Sequence, residues 1–193
     1  MSQRRNSEDC LQVLANELAG ANTHFDFAET LHAYYLQHGV ANIFWKYTVI
    51  AHSSIAFLNL CRVYDYHKKG INLINCLKSI DEGALHQVDR AQLSVYVGLC
   101  GEKSQDHWVQ TLRTWRHNIV AHYNIKAALD RKAFDKNNPD EPSEILRNLI
   151  PSGFKILEWC SGVHGKATTY PRFAPGKESC ADVLKSLQIC KPS

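Results

Sequence analysis

In the stretch TWRHNIVAHYN, residues 114–124, Arg116 and His122 bracket the run His117, Asn118, Ile119, Val120 and Ala121. A guanidinium is a permanent planar cation that can donate two hydrogen bonds to a phosphate. An imidazole titrates near neutrality and can give or take a proton there. Together they could hold an anion and move a proton beside it. On an α-helix, six steps carry His122 about 120° around the axis from Arg116 and about 9 Å along it. The two side chains therefore straddle an edge, where a ligand or a partner subunit could touch both. Trp115, Asn118 and His122 share one stripe of such a helix, and Arg116 projects beside it. Spacing alone does not decide the matter. The chain has ten histidines, and Arg62 and His67 form a second pair at a similar interval. A solvated basic face carrying Arg113, Arg116 and His117 is the open alternative.

The elements that must position these residues read as helices throughout. Leu11, Leu14, Ala15 and Leu18 recur at steps of three and four, with Ser7 as a start signal and Gly20 as a break. Phe27, Leu31, Tyr34 and Tyr35 repeat the pattern up to Gly39. The segment from Ala41 to Asp65 is the longest and most apolar, and is expected to be the buried central helix. A short helix over 71–80, a turn at Asp81–Glu82–Gly83 and a helix from Asp89 to Cys100 closed by Gly101 follow. Ser104 is expected to cap a long helix running through Trp108, Leu112, Trp115 and Ile119 to His122 or beyond. After the polar loop DKNNPDEP, a helix starts near Ser143, and Pro151 is expected to kink or divide it. The tail is read as a loop followed by one more amphipathic helix. The expected fold is a single all-α bundle over 1–163, with the C-terminal segment 164–193 packed on the same domain.

Composition narrows the function without naming it. With 193 residues, 45% hydrophobic and 21% charged, the chain has the make-up of an ordinary globular domain. A formal net charge of +3 is too small to announce nucleic-acid binding, though a basic groove could hide within it. The first ten residues, MSQRRNSEDC, have basic residues but no apolar run, so no signal peptide is expected. No uninterrupted apolar stretch reaches the length of a membrane span. Seven cysteines without a C-x-x-C pair suit a reducing cytoplasm better than a disulfide framework. No metal-ligand spacing, glycine-rich phosphate loop, paired-carboxylate site or nucleophile motif stands out, and no cofactor is expected. The basic loop His67–Gly70 could touch phosphate or be simply solvated. Phe44, Trp45 and Tyr47 read as core or dimer contacts.

Two stretches together carry a resemblance. LRTWRHNIVAHYN resembles the R-(polar)-x-x-x-A-H signature of the HEPN superfamily, most closely its abortive-infection U branch. LNLCRVYDYHKKGINLINCLKSI is similar to the other stretch of that branch: an apolar helix ending in Arg62, Val63, Tyr64 and Asp65, then a short helix with Leu73 and Leu77. The resemblance implies an all-α homodimer that brings two Arg/His sets into one cleft. It also implies a metal-independent ribonuclease of the toxin–antitoxin or phage-defence kind, with RNA and an antitoxin protein as partners. Some members of the superfamily are inactive modules that bind nucleotide, RNA or protein. By the motif, Arg116 and His122 are the catalytic pair and His117 the polar residue after the Arg. Asn118, Tyr123 and Arg113 are candidates for substrate contacts, with helix capping the alternative for Tyr123. Arg62 and Asp65 are expected to form an ion pair that fixes the end of the apolar helix. A generic helical interaction protein remains the third reading.

Overall fold

The computed structural model describes residues 7–38, 43–117, 142–165 and Tyr170. Among these the chain is all-α, with helices α1 (Ser7–His38), α2 (Ile43–Val63), α3 (Leu73–Lys78), α4 (Gln87–Cys100), α5 (His107–Trp115) and α6 (Pro142–Val163). A 3-10 turn at Glu82–Ala84 links α3 to α4, and no strand occurs among the described residues. None of these helices is long and apolar enough to cross a membrane.

The two N-terminal segments expected as separate helices are one helix. Leu11, Leu14, Leu18, Ala21, Phe25, Ala28 and Leu31 are all buried, so a single stripe at three- and four-residue spacing runs straight past Gly20. Glycine costs a helix about 0.5–1 kcal/mol. Burying each large side chain of the stripe returns roughly 1.5–3 kcal/mol, so packing overrides the local preference. Gly20 serves a contact instead: a Cβ there would lie 2.7 Å from Asn59 Nδ2. With the Glu17–Arg62 ion pair at 3.3 Å and the His24–His52 contact at 2.8 Å, this approach sets α1 and α2 antiparallel.

The buried central helix is α6, not α2. In α2 the buried residues are Ala56, Phe57, Leu60, Cys61 and Val63, all in its C-terminal half. Ile43, Phe44 and Tyr47 at its other end are exposed. Trp45 instead joins a small second cluster with Phe27, Tyr34 and Val49 around Leu31. Helix α6 buries Ile145, Leu146, Leu149, Ile150, Gly153, Phe154, Ile156, Leu157 and Cys160. It passes through Pro151 as one helix. Pro151 is exposed, so the backbone bond it cannot make is lost on the outer side while both halves stay packed. At Gly153 a Cβ would stand 2.8 Å from Leu18 Cδ2 and 3.4 Å from the Tyr64 hydroxyl oxygen. The close three-way meeting of α1, α6 and the end of α2 rests on that missing side chain. Tyr170 is buried in the same core.

Candidate functional site

Helix α5 brings Arg116 to the site. Its cap is Asp106, whose Oδ1 accepts from the Val109 amide at 2.9 Å, rather than Ser104. Ser104 is buried two residues earlier, and its Oγ accepts from the Asp106 amide. Val109, Thr111, Leu112 and Trp115 turn into the core, which leaves Arg113 and Arg116 on the side facing the end of α2. At Arg116 and His117 the helix widens into a π-type turn, a local irregularity frequent at functional sites. His117 is exposed there. Asn118, His122 and Tyr123 lie outside the described residues, as does the expected continuation of this helix.

Arg116 Nη1 donates to Asp65 Oδ1 at 3.0 Å, with the two side chains 39% and 23% exposed. The same carboxylate oxygen accepts from the Tyr66 amide at 2.8 Å. The expected Arg62–Asp65 pair does not form. Arg62 turns to Glu17 and to Asn59 Oδ1. The reason is the end of α2 at Val63: three further residues on a helix would keep Arg62 and Asp65 on one face, but the chain leaves the helix at Tyr64. That residue is fully buried, and its hydroxyl donates to the Leu149 carbonyl at 2.8 Å. Anchoring Tyr64 in the core redirects Asp65 toward α5. Both stretches that carried the resemblance thus meet, through a different arginine than expected.

Arg113, a candidate for substrate contact, is committed to the scaffold. Its Nη1 donates to the carbonyls of Gly101 at 2.8 Å and Glu102 at 3.4 Å. Its Nη2 donates to Cys100 at 2.9 Å and Tyr64 at 3.3 Å. The guanidinium thereby caps the C-terminal ends of α2 and α4, where the helix dipole favours a cation. Its Nε is buried without a hydrogen-bond partner among the described residues. Burial holds its pKa below the usual arginine value, partly offset by Tyr66 and Cys100. The ring of Tyr66 lies against the guanidinium, 4.8 Å from ring centre to Cζ. No sequence pattern announces this cage, because its acceptors are backbone carbonyls at and just beyond the ends of two other helices.

The surrounding titratable groups are set by burial. The Cys61 thiol is pushed up to about 12, with Arg116 pulling the other way too weakly to cancel it. Cys100 is likewise pushed up to about 12 against the charge of Arg113. Both remain thiols at neutral pH, so neither is a nucleophile. Burial also holds the Tyr64 phenol well above its ordinary value. Among the described residues no group of three or more His, Cys, Asp or Glu side chains could hold a metal ion. Away from the site, His24 on α1 meets His52 on α2 at 2.8 Å between their Nδ1 atoms. Histidine spacing within α1 alone gives no hint of that pair.

The described residues thus form an all-α bundle in which the Arg-bearing end of α5 is pinned against the Arg-x-x-Asp end of α2. The family model HEPN_AbiU2, described as AbiU2, matches residues 8–173. The chain belongs to this AbiU2 branch of the HEPN superfamily. No curated protein and no solved structure gave a significant match.

Proposed function

We propose that this protein is a metal-independent endoribonuclease that works as a homodimer, as a toxin or phage-defence effector in the cytoplasm. The reading is carried by the half-exposed Arg116, held by Asp65 at the end of α5. A guanidinium has five N–H donors in a fixed fork, and one bond to Asp65 orients the group while spending one of them. A phosphate arriving at Arg116 would meet a preset donor, and the negative charge that gathers on its non-bridging oxygens in the transition state would be stabilised there. His122 is the proposed acid/base: in one copy it takes the proton of the ribose 2′-hydroxyl, which attacks the adjacent phosphorus. In the partner copy it gives a proton to the departing 5′-oxygen. The products are a 2′,3′-cyclic phosphate and a 5′-hydroxyl, and no cofactor enters the balance. His117 stands beside Arg116 for a supporting contact, and Asn118 and Tyr123 for contacts to the substrate. An antitoxin protein would be the natural partner of such an activity.

The test is cleavage of bulk and transfer RNA in EDTA, with the fragment ends characterised. Wild type should cut and leave cyclic phosphate ends, and Arg116→Ala and His122→Ala should not. Folded variants that cut as fast as wild type would sink the proposal. One observation favours a second reading, a catalytically silent module that binds RNA or a protein: Asp65 offsets the charge of Arg116. Under that reading wild type binds RNA in EDTA and leaves it intact.

A further inference from the structure

The segment after Asp65 holds an exposed aromatic and two lysines that the catalytic reading does not use. Tyr66 is 43% exposed, and Lys68 and Lys69 are exposed after it. This segment is built rather than loose. The His67 carbonyl accepts from the Gly70 amide at 3.1 Å and from Asn72 Nδ2 and Asn75 Nδ2, each at 2.9 Å. Asn75 Nδ2 also donates to the Gly70 carbonyl at 2.8 Å. Asn72, itself buried, accepts from the Asn75 amide as the cap of α3. The Tyr66 ring is pinned in turn by Arg113, whose guanidinium the carbonyl cage already fixes. A ring held still at the surface loses little conformational freedom when a second planar group stacks on it.

We propose that Tyr66, Lys68 and Lys69 form a subsite for single-stranded RNA next to Arg116, in which an unpaired base stacks on Tyr66 and backbone phosphates lie at the two lysines. The inference rests on the ribonuclease reading only for the choice of ligand. Its geometric ground is that the Tyr66 amide and the Arg116 guanidinium meet on one carboxylate oxygen, at 2.8 and 3.0 Å. The ring itself lies against Arg113, three residues before Arg116 on the same helix, and in the proposed subsite the nucleotide next to the one whose phosphate is at Arg116 stacks on it. Every base offers a π-face and every strand a charged backbone, so the subsite would select single-stranded over duplex RNA with little regard to sequence. An alternative role for the ring, as a cover over the Arg113 cage, would be read in stability and not in binding.

The experiment measures binding of a fluorescein-labelled, mixed-sequence 2′-O-methyl RNA dodecamer by anisotropy in EDTA. This probe keeps bases and phosphates and lacks the 2′-hydroxyl that attacks in cleavage. Tyr66→Leu should weaken binding about 5- to 150-fold, and Tyr66→Phe should bind like wild type. Lys68→Gln with Lys69→Gln should flatten the slope of log Kd against log salt by about 1.4. Tyr66→Leu that melts like wild type and binds within twofold of it overturns the proposal, as does a wild type that does not bind the probe. Should Tyr66→Leu fail to fold, the lysine variant decides, and an unchanged salt slope overturns the proposal. The two readings separate cleanly. Tyr66-dependent binding without cleavage of ordinary RNA removes the nuclease and keeps the subsite, whereas Arg116-dependent cleavage with no Tyr66 effect removes the subsite alone.

Discussion

Replacing Arg113 by Met keeps most of the apolar stem and deletes the guanidinium, and so isolates the carbonyl cage. Two of its hydrogen bonds are short, at 2.8 Å to Gly101 and 2.9 Å to Cys100. The other two, at 3.3 Å to Tyr64 and 3.4 Å to Glu102, are near the limit of useful geometry. A hydrogen bond from a charged donor contributes about 1.5–3 kcal/mol net, so the short pair accounts for roughly 3–6 kcal/mol. Against this stands the buried, unpaired Nε, whose desolvation costs about 1–3 kcal/mol and is relieved by the substitution. Arg113→Met should therefore cost about 2–3 kcal/mol, a large share of a domain stability of about 5–15 kcal/mol. With a urea m-value of about 2 kcal/mol per M, the midpoint falls by about 1–2 M. The assay is equilibrium unfolding followed by far-ultraviolet circular dichroism at one fixed protein concentration, because the proposed dimer would tie stability to concentration. Arg113→Lys should recover part of the loss, since an ammonium carries the charge but not the planar fork. Arg113→Met within about 0.5 kcal/mol of wild type at an unchanged m-value would refute the reasoning.

Two further outcomes follow from the packing of α1. Gly153→Ala should destabilise the protein by about 1–3 kcal/mol, read as a lower urea midpoint, because the new Cβ meets fully buried Leu18 at 2.8 Å. The His24–His52 contact makes stability pH-dependent. Burial first, and then the charge of His24, lower the His52 pKa from its ordinary 6.5, so below about pH 6.5 the unfolded chain binds the proton that the folded one resists. Stability is then complete above that pH and declines as pH falls through 6.5 toward the folded value. His52→Gln should show a shallower loss of melting temperature between pH 7.5 and 5.5 than wild type, and an equal slope would discard this account.

Much of the helical content was legible from apolar spacing alone, since the stripe from Leu11 to Leu31 and the buried face of α6 follow the period of the helix. The errors have one cause. Gly20 read as a break and Pro151 as a kink or a division because local preference disfavours both inside helices, yet each stays within one continuous helix held by tertiary contacts, which overturns the break at Gly20 and the division at Pro151. Apolar content likewise suggested α2 for the centre, although the aromatic and aliphatic residues at its start face outward. Sequence tells how much apolar surface an element has, not which neighbours arrive to cover it.

The sequence by itself determined the all-α class, the two stretches that carry the resemblance, and Arg116 and Asp65 as residues of interest. Residue type and spacing suffice for these, because helix periodicity and motif order are properties of the chain. Only the tertiary structure decided that Asp65 pairs with Arg116 rather than Arg62, and that Arg113 is spent on the ends of α2 and α4. It alone set Tyr66 beside the same carboxylate. Those facts depend on where the buried Tyr64 ends α2 and on backbone carbonyls 11 to 49 residues away from the arginine they bind. Partners so distant along the chain are chosen by packing, and packing is not written in local spacing.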